Sequence, residues 1–334
     1  MDAPLPNRAP PDIERAAQTL RSGGAVAFPS ETVYGLGADA GDAEAVRRVF
    51  ALKGRPPSNP VIVHVSSAMM ARRVVSTWSD DAERLARAFW PGPLTLVLPK
   101  APGVPDEVTA GGATVGVRAP DHPIALALLH AFNAPIIGPS ANPSSGVSPT
   151  TAEHVRTAFG DRVQVLEGGA CAAGIESTVL DLVAAMPTVL RPGVIGAQAI
   201  EHALGKRVAQ RHEDAHGAPP PGAAERSPGR HGAHYRPSTP VRLIAAGERA
   251  SLPAGAVVLR LGGIEHPAGE GEIEMPEAAQ AYARRLYAAL READGRSPTL
   301  IAVERPDVEG GSDPASRAVW EAVLERLGRA ATQD

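Results

Sequence analysis

The chain has 334 residues, 43% hydrophobic and 21% charged, an ordinary globular balance with length for one large domain or two ordinary ones. A formal net charge of −4 gives no global basic field for nucleic acid, and a single cysteine, Cys171, excludes an internal disulfide or a multi-thiolate zinc site. The apolar runs fall far short of a membrane span and the start, MDAPLPNRAP, has no apolar core of a secretory signal, so a soluble cytoplasmic protein is expected.

Short β-rich runs alternate with helical patterns through the first 200 residues. Strands are predicted at Ala25–Phe28, Val61–Val65, Leu94–Leu98, Thr114–Val117, Pro135–Gly138, Val163–Leu166, Thr178–Leu182 and Thr188–Leu190. Helices are predicted at Asp12–Arg21, Ala43–Leu52, Asp80–Phe89, Pro123–Ala131 and Ala152–Ala158. Thr150 followed by Glu153 reads as a capping box opening the fifth helix. Residues 207–240 break the pattern with six prolines and four histidines, and read as an extended linker. Strands then follow at Val241–Ala245, Val257–Leu261 and Leu300–Val303, with helices at Glu277–Glu292 and Ala315–Arg329. Mixed strand and helix order implies an α/β fold, helices covering a twisted sheet. The expected division is a large domain at 1–206, a linker at 207–240 and a small α/β domain at 241–334.

Six segments carry chemistry. In FPSETVYGLG (28–37) a short strand stops at Pro29 and gives way to hydroxyls, a carboxylate and glycines, at the kind of strand end where α/β proteins bind small molecules. Lys53-Gly54-Arg55-Pro56 is a stiff cationic turn suited to phosphate, or a solvated basic loop. Arg118 closes a β-run and is held by Ala119-Pro120; it can grip a carboxylate bidentately, or form a surface ion pair of little worth. GPSANPSSGVSPT (138–150) offers Ser140, Asn142 and Ser148 before a helix N-terminus, where anions bind well; the alternative is a serine-rich turn serving its own backbone. GIESTVLD (174–181) sets Ser177 at a strand entrance, and Leu190-Arg191-Pro192-Gly193 repeats the strand-end arginine.

Other signals fail. Gly35, Gly37 and Gly41 are one residue too long for a dinucleotide fingerprint, and Gly205-Lys206 lacks the upstream glycine of a Walker loop. His212, His216, His231 and His234 lie in a proline-rich setting with no scaffold to fix metal geometry. Cys171 sits among alanines and glycines without a histidine partner motif. The residues alone describe a phosphate- and carboxylate-binding α/β protein with no evident nucleophile.

Taken together, FPSETVYGLG, KGRPPSNPVIVHV, FWPGPLTLVL, TVGVRAPDHP, GPSANPSSGVSPTTAEHV, GIESTVLD and VLRPGVI, in that order, resemble the YrdC-like domain. SPGRHGAHYRP resembles the linker of the two-domain threonylcarbamoyl-AMP synthases. The resemblance implies an open twisted mixed sheet with flanking helices, followed by a small Rossmann-like α/β domain. It implies a nucleotidyltransferase that joins L-threonine, bicarbonate or CO2, and ATP into threonylcarbamoyl-AMP, releasing pyrophosphate. Mg²⁺ would accompany the ATP, with no protein-built metal site. The product would serve N6-threonylcarbamoyladenosine formation at tRNA position 37, through a downstream transferase machinery. Carried over, Lys53 and Arg55 would act in catalysis, and Thr32, His64, Arg118 and Ser177 would hold threonine. Lys53, Arg55, Asn59, Thr114, Ser140, Asn142, Ser148, Arg191 and Tyr235 would hold ATP, Tyr235 as part of a linker lid. Departures are Ser30 in place of threonine and Arg230-His231-Gly232-Ala233 in place of the usual methionine, lysine and aromatic. The competing readings are a non-catalytic RNA-binding module, weakened by the −4 charge, and a carbamoyl-transferring enzyme, which would carry zinc-finger cysteines.

Overall fold

The computed structural model describes residues 10–210, 235–262, 271–306 and 313–331. The four linker histidines and the Arg230–Ala233 departure lie outside the described residues. In chain order the first part holds α1 (Pro11–Arg21), β1 (Val26–Phe28), β2 (Gly35–Asp39), α2 (Ala43–Lys53), β3 (Ile62–His64), α3 (Ala68–Ala71) and α4 (Asp80–Phe89). It continues with β4 (Leu94–Pro99), α5 (Asp106–Thr109), β5 (Thr114–Arg118), α6 (Pro123–Phe132), β6 (Ile136–Ile137) and α7 (Ala152–Phe159). Then come β7 (Gln164–Val165), β8 (Thr178–Asp181), β9 (Thr188–Arg191), α8 (Ala197–Leu204) and β10 (Ala209–Gln210). The second part holds β11 (Val241–Ile244), β12 (Val257–Leu261), β13 (Glu272–Met275), α9 (Ala279–Gly295), β14 (Ile301–Glu304) and α10 (Pro314–Ala331).

β1 to β10 form one mixed sheet in the order β10-β9-β8-β4-β5-β3-β6-β2-β1-β7. Strand alternation sends successive side chains to opposite faces. Val63, Leu94, Leu96, Leu98, Val115, Val117 and Leu180 enter the large core, which they share with apolar residues of α1, α2, α4, α6, α7 and α8. Their alternates Ile62, Val97, Val179 and Leu190 form a separate small cluster. The mixed sheet with flanking helices is as the resemblance implies. The face that carries Ile62 also carries His64 and, on β5, Arg118.

β11 to β14 form a parallel sheet in the order β11-β14-β12-β13. Its strands share one core with α9 and α10, including Tyr282, Leu286, Tyr287, Trp320, Val323 and Leu327. Val33, Val147, Ile175 and Tyr235 belong to that same core although they come from loops of the large sheet and from the linker.

Three local differences from the sequence reading have physical causes. β2 falls inside the segment read as a loop, because antiparallel pairing of Gly35–Gly37 with Val26–Phe28 overrides the poor strand preference of glycine. The α7 cap is Thr151, whose hydroxyl accepts from the His154 amide at 3.3 Å, one residue later than the Thr150 box. Residues 209–210, read as linker, pair in parallel with β9 and extend the sheet.

Candidate functional site

The register builds the site. β3 and β5 run in parallel with His64 directly beside Arg118, and Ile62 beside Gly116. β4 runs antiparallel to β5 and parallel to β8, so the start of β8, where Ser177 sits, comes to the same end. Thr95 and Ser177 hydroxyls then meet at 2.8 Å. Gly35 bridges Ser140, which brings the loop after β6 against the start of β2.

Thr32, Arg55, His64, Arg118, Ser140, Ser177, Arg191 and Tyr235 line one cavity, together with Ser30, Gly35, Ile62, Gly138 and Glu176. Its cavity volume is about 60 Å³. The other residues expected at the nucleotide stand behind this wall. Lys53 Nζ donates to the carbonyls of Ser140 at 2.6 Å and Asn142 at 2.5 Å. Asn59 presents its carbonyl to Arg55 Nε at 3.1 Å. Asn142 Nδ2 donates to the carbonyls of Pro143 and Gly146, at 2.7 and 2.9 Å. Ser148 donates to Glu176 at 2.7 Å. Thr114 lies in a smaller adjoining recess that shares Val61 and Ile62 with the cavity.

Local sequence explains these placements. α2 ends at Gly54, whose left-handed φ of 61° reverses the chain and sets Lys53 and Arg55 on either side of the turn. Arg55 is buried, and donates to the carbonyls of Asn59 and Pro60. Burial pulls its guanidinium down to about 10, with Arg191 adding to the effect and Tyr235 opposing it. Burial, and then Arg55, hold the Lys53 ammonium well below its ordinary range. His64 packs edge-on against Phe28 at 5.4 Å, and burial beside Arg118 depresses its imidazole to about 3, so it is neutral. Arg118 donates to Thr32 Oγ1 at 2.9 Å and to the Gly92 carbonyl at 3.2 Å.

Two carboxylates were not read from the sequence as site residues. Glu31 sits 2.6 Å from Arg118 Nη2 and accepts from the Asp121 amide at 3.1 Å. Glu176 lines the cavity, and accepts from Ser148 and from the Tyr287 hydroxyl at 2.8 Å. Burial pushes the Glu176 carboxyl up, but Arg326, Arg191 and its hydroxyl donors outweigh this and hold it below the ordinary carboxylate value. Both acids lie inside quoted motifs; the signal available was a carboxylate flanked by hydroxyls in an otherwise cationic site. Buried polar atoms without a protein hydrogen-bond partner include Oε1 of Glu31, Oδ1 of Asn59 and Asn142, and Nδ1 of His64. A pocket of buried cations and hydroxyls over an apolar floor can hold a multiply charged anion beside a small carboxylate.

Comparison with known proteins identifies the family. A family model described as "Telomere recombination" (Sua5, YciO, YrdC) matches residues 18–193, and one described as "Threonylcarbamoyl-AMP synthase, C-terminal domain" matches 195–332. Threonylcarbamoyl-AMP synthase of Pyrococcus abyssi is 38% identical over 331 residues, 95% of this chain and 93% of that protein. Threonylcarbamoyl-AMP synthase of Bacillus subtilis is 42% identical over 236 residues, 70% of this chain and 66% of that one. A crystal structure of P. abyssi Sua5 complexed with L-threonine superposes with a TM-score of 0.84 at 36% identity, covering 96% of this chain and 94% of the other. The chain therefore belongs to the Sua5–YciO–YrdC family, in its two-domain, Sua5-type form.

Proposed function

We propose that this protein is an L-threonylcarbamoyladenylate synthase. It joins L-threonine, CO2 from bicarbonate, and ATP into threonylcarbamoyl-AMP and releases pyrophosphate. The observation that carries the reading is the convergence of Arg55, Arg118 and Arg191 with Thr32, His64, Ser140 and Ser177 in one cavity of a chain so similar to proteins of that name.

Threonine is assigned to the His64–Arg118 end. Arg118 pairs with its carboxylate, and Thr32 and Ser177 flank it. ATP is assigned to the side of Arg55, Ser140, Arg191 and Tyr235, with Lys53, Asn59, Asn142 and Ser148 bracing the loops from behind. Thr114, in the adjoining recess, is assigned to the same nucleotide region. Threonine's amine adds to CO2 and loses a proton, giving a carbamate. A carbamate oxygen attacks the α-phosphorus, the bond to the β-phosphate oxygen breaks, and pyrophosphate leaves. No protein nucleophile is needed. The chain's part is to position two anions and offset the charge that gathers on the phosphates, which buried guanidiniums do with little reorganisation. Tyr235, with the rest of the linker, is assigned to cover the nucleotide and exclude water from the mixed anhydride.

Mg²⁺ fits this cavity only as a ligand of the nucleotide. Glu176 is the single carboxylate among the described residues that line it, and both its oxygens already accept hydrogen bonds. Mg²⁺ commonly binds through substrate phosphates and water in such sites. The product would pass to a tRNA-modifying transferase in the cytoplasm; no helix among the described residues is long and apolar enough to cross a membrane. A non-catalytic RNA-binding role is disfavoured, because Lys53, Arg55, Arg118 and Arg191 are 3 to 8% exposed and out of reach of a polymer backbone. Any weak RNA contact would use other residues.

The test mixes protein, ATP, Mg²⁺ and bicarbonate with each amino acid in turn and measures pyrophosphate. Release that depends on threonine is expected. Equal release with every amino acid, or none with threonine, overturns the reading.

A further inference from the structure

Among the contacts of the second domain with the cavity wall is a buried cation. Arg326, on α10, is fully buried. Its Nη1 donates to the carbonyl of Pro192 at 2.5 Å and its Nη2 to that of Glu176 at 3.3 Å. Its Nε lies 3.4 Å from the Glu176 carboxylate, to which Tyr287 of α9 donates at 2.8 Å. These two carbonyls adjoin the cavity residues Ser177 and Arg191. Arg191 in turn donates to Ser177, to its carbonyl at 3.1 Å and its hydroxyl at 3.2 Å. The lid residue is held by the same group: the Arg326 guanidinium lies 5.9 Å from the Tyr235 ring, which stacks on Tyr287 at 5.6 Å.

Packing repeats the pattern. Val33, Val147 and Ile175, one from each of three site loops, are members of the second domain's core. Gly174, at φ 75°, lies so close to α9 that a Cβ there would meet Arg284 Cα at 2.4 Å. Arg284 donates to the Ala172 carbonyl at 2.9 Å, and Arg291 to that of Val147.

We propose that Arg326, with Tyr287, is a positioning residue of the synthase site: it staples the segments 176–178 and 191–193 together, and so fixes the geometry of Ser177, Arg191 and Tyr235 from the second domain. The inference rests on the synthase reading and gives the second domain a part in it. A guanidinium suits the task because its planar fork serves several fixed acceptors at once, where an ammonium offers a point charge. Loss of the fork lets the wall move. A displacement of about 1 Å in such a site costs roughly 100-fold in rate.

The experiment uses the full chain and measures kcat and KM for threonine and ATP by pyrophosphate release, with thermal unfolding alongside. Arg326→Met is expected to lower kcat/KM about 10- to 100-fold, Arg326→Lys to restore part of it, and Arg317→Met, at an exposed position of the same helix, to match wild type. The acid limb of kcat/KM is expected to move to higher pH in Arg326→Met, because Glu176 loses the cation that helps hold its carboxyl down. Lost stability alone would not move that limb. If Arg326→Met does not fold, Tyr287→Phe and Arg326→Lys carry the test, each with raised KM in a folded protein. Wild-type kinetics and pH profile in folded variants overturn the inference and leave the synthase reading standing. Absence of threonine-dependent pyrophosphate release from wild type and Arg317→Met alike removes the reading on which the inference rests.

Discussion

Replacing His64 with glutamine tests the electrostatics of the amino-acid end of the cavity. The imidazole is 4% exposed, lies beside Arg118 and titrates near 3 rather than at its ordinary 6.5. Below pH 6.5 the unfolded chain takes up a proton that the folded chain refuses. Stability is therefore whole above that pH and falls by up to about 1.4 kcal/mol per pH unit on the way down towards 3. At pH 4.5, two units below the ordinary value, this one group costs about 2.7 kcal/mol. His64→Gln cannot titrate. It should be less stable than wild type at pH 7.5 through lost packing on Phe28, yet lose about 2.7 kcal/mol less between pH 7.5 and 4.5. Urea unfolding at half-unit pH intervals, followed by the fluorescence of Trp78, Trp90 and Trp320, reads the difference. Parallel curves for the two proteins would mean that the ring titrates normally in the folded state, and the neutral-imidazole argument would fail.

Other substitutions separate binding from folding. Arg118→Ala strands the buried Glu31 carboxylate, so about 3–5 kcal/mol of stability should go along with threonine use. Adding Glu31→Gln should return part of the stability and none of the threonine use; unchanged threonine affinity in Arg118→Ala would remove the assigned role. Lys53→Met takes the cation from two carbonyls of the 138–150 loop, each bond worth about 1.5–3 kcal/mol, and should raise the KM for ATP. An unaltered ATP titration would show that the loop holds its shape without it. Gly138→Ala places a Cβ 2.5 Å from the His64 ring and 3.0 Å from Phe28, so it should cost about 1–3 kcal/mol and weaken threonine binding. A calorimetric threonine titration identical to wild type would contradict that crowding.

Much of the large sheet was legible because its strands are apolar runs bounded by proline and glycine. β3 and β5 were visible as such runs, and Arg118 at a strand end marked a chemical position. β2 was hidden, since its glycines carry no strand preference and only pairing with β1 makes it a strand. Motif order brought the cavity residues together, but not their depth. Nothing in the local sequence says that Lys53 turns away from the cavity to two carbonyls, or that Glu31 and Glu176 are buried partners of arginines. Those facts depend on contacts between segments far apart in the chain, from 87 residues for Lys53 and Ser140 to 150 for Glu176 and Arg326.

The borrowing of Val33, Val147 and Ile175 by the second core binds the fates of the two sheets. Neither half can melt without baring apolar surface that the other half covers, so heating should give one cooperative transition rather than two. The same sharing restricts inheritance: either half can be exchanged for a foreign counterpart only if the newcomer offers sockets for those three side chains.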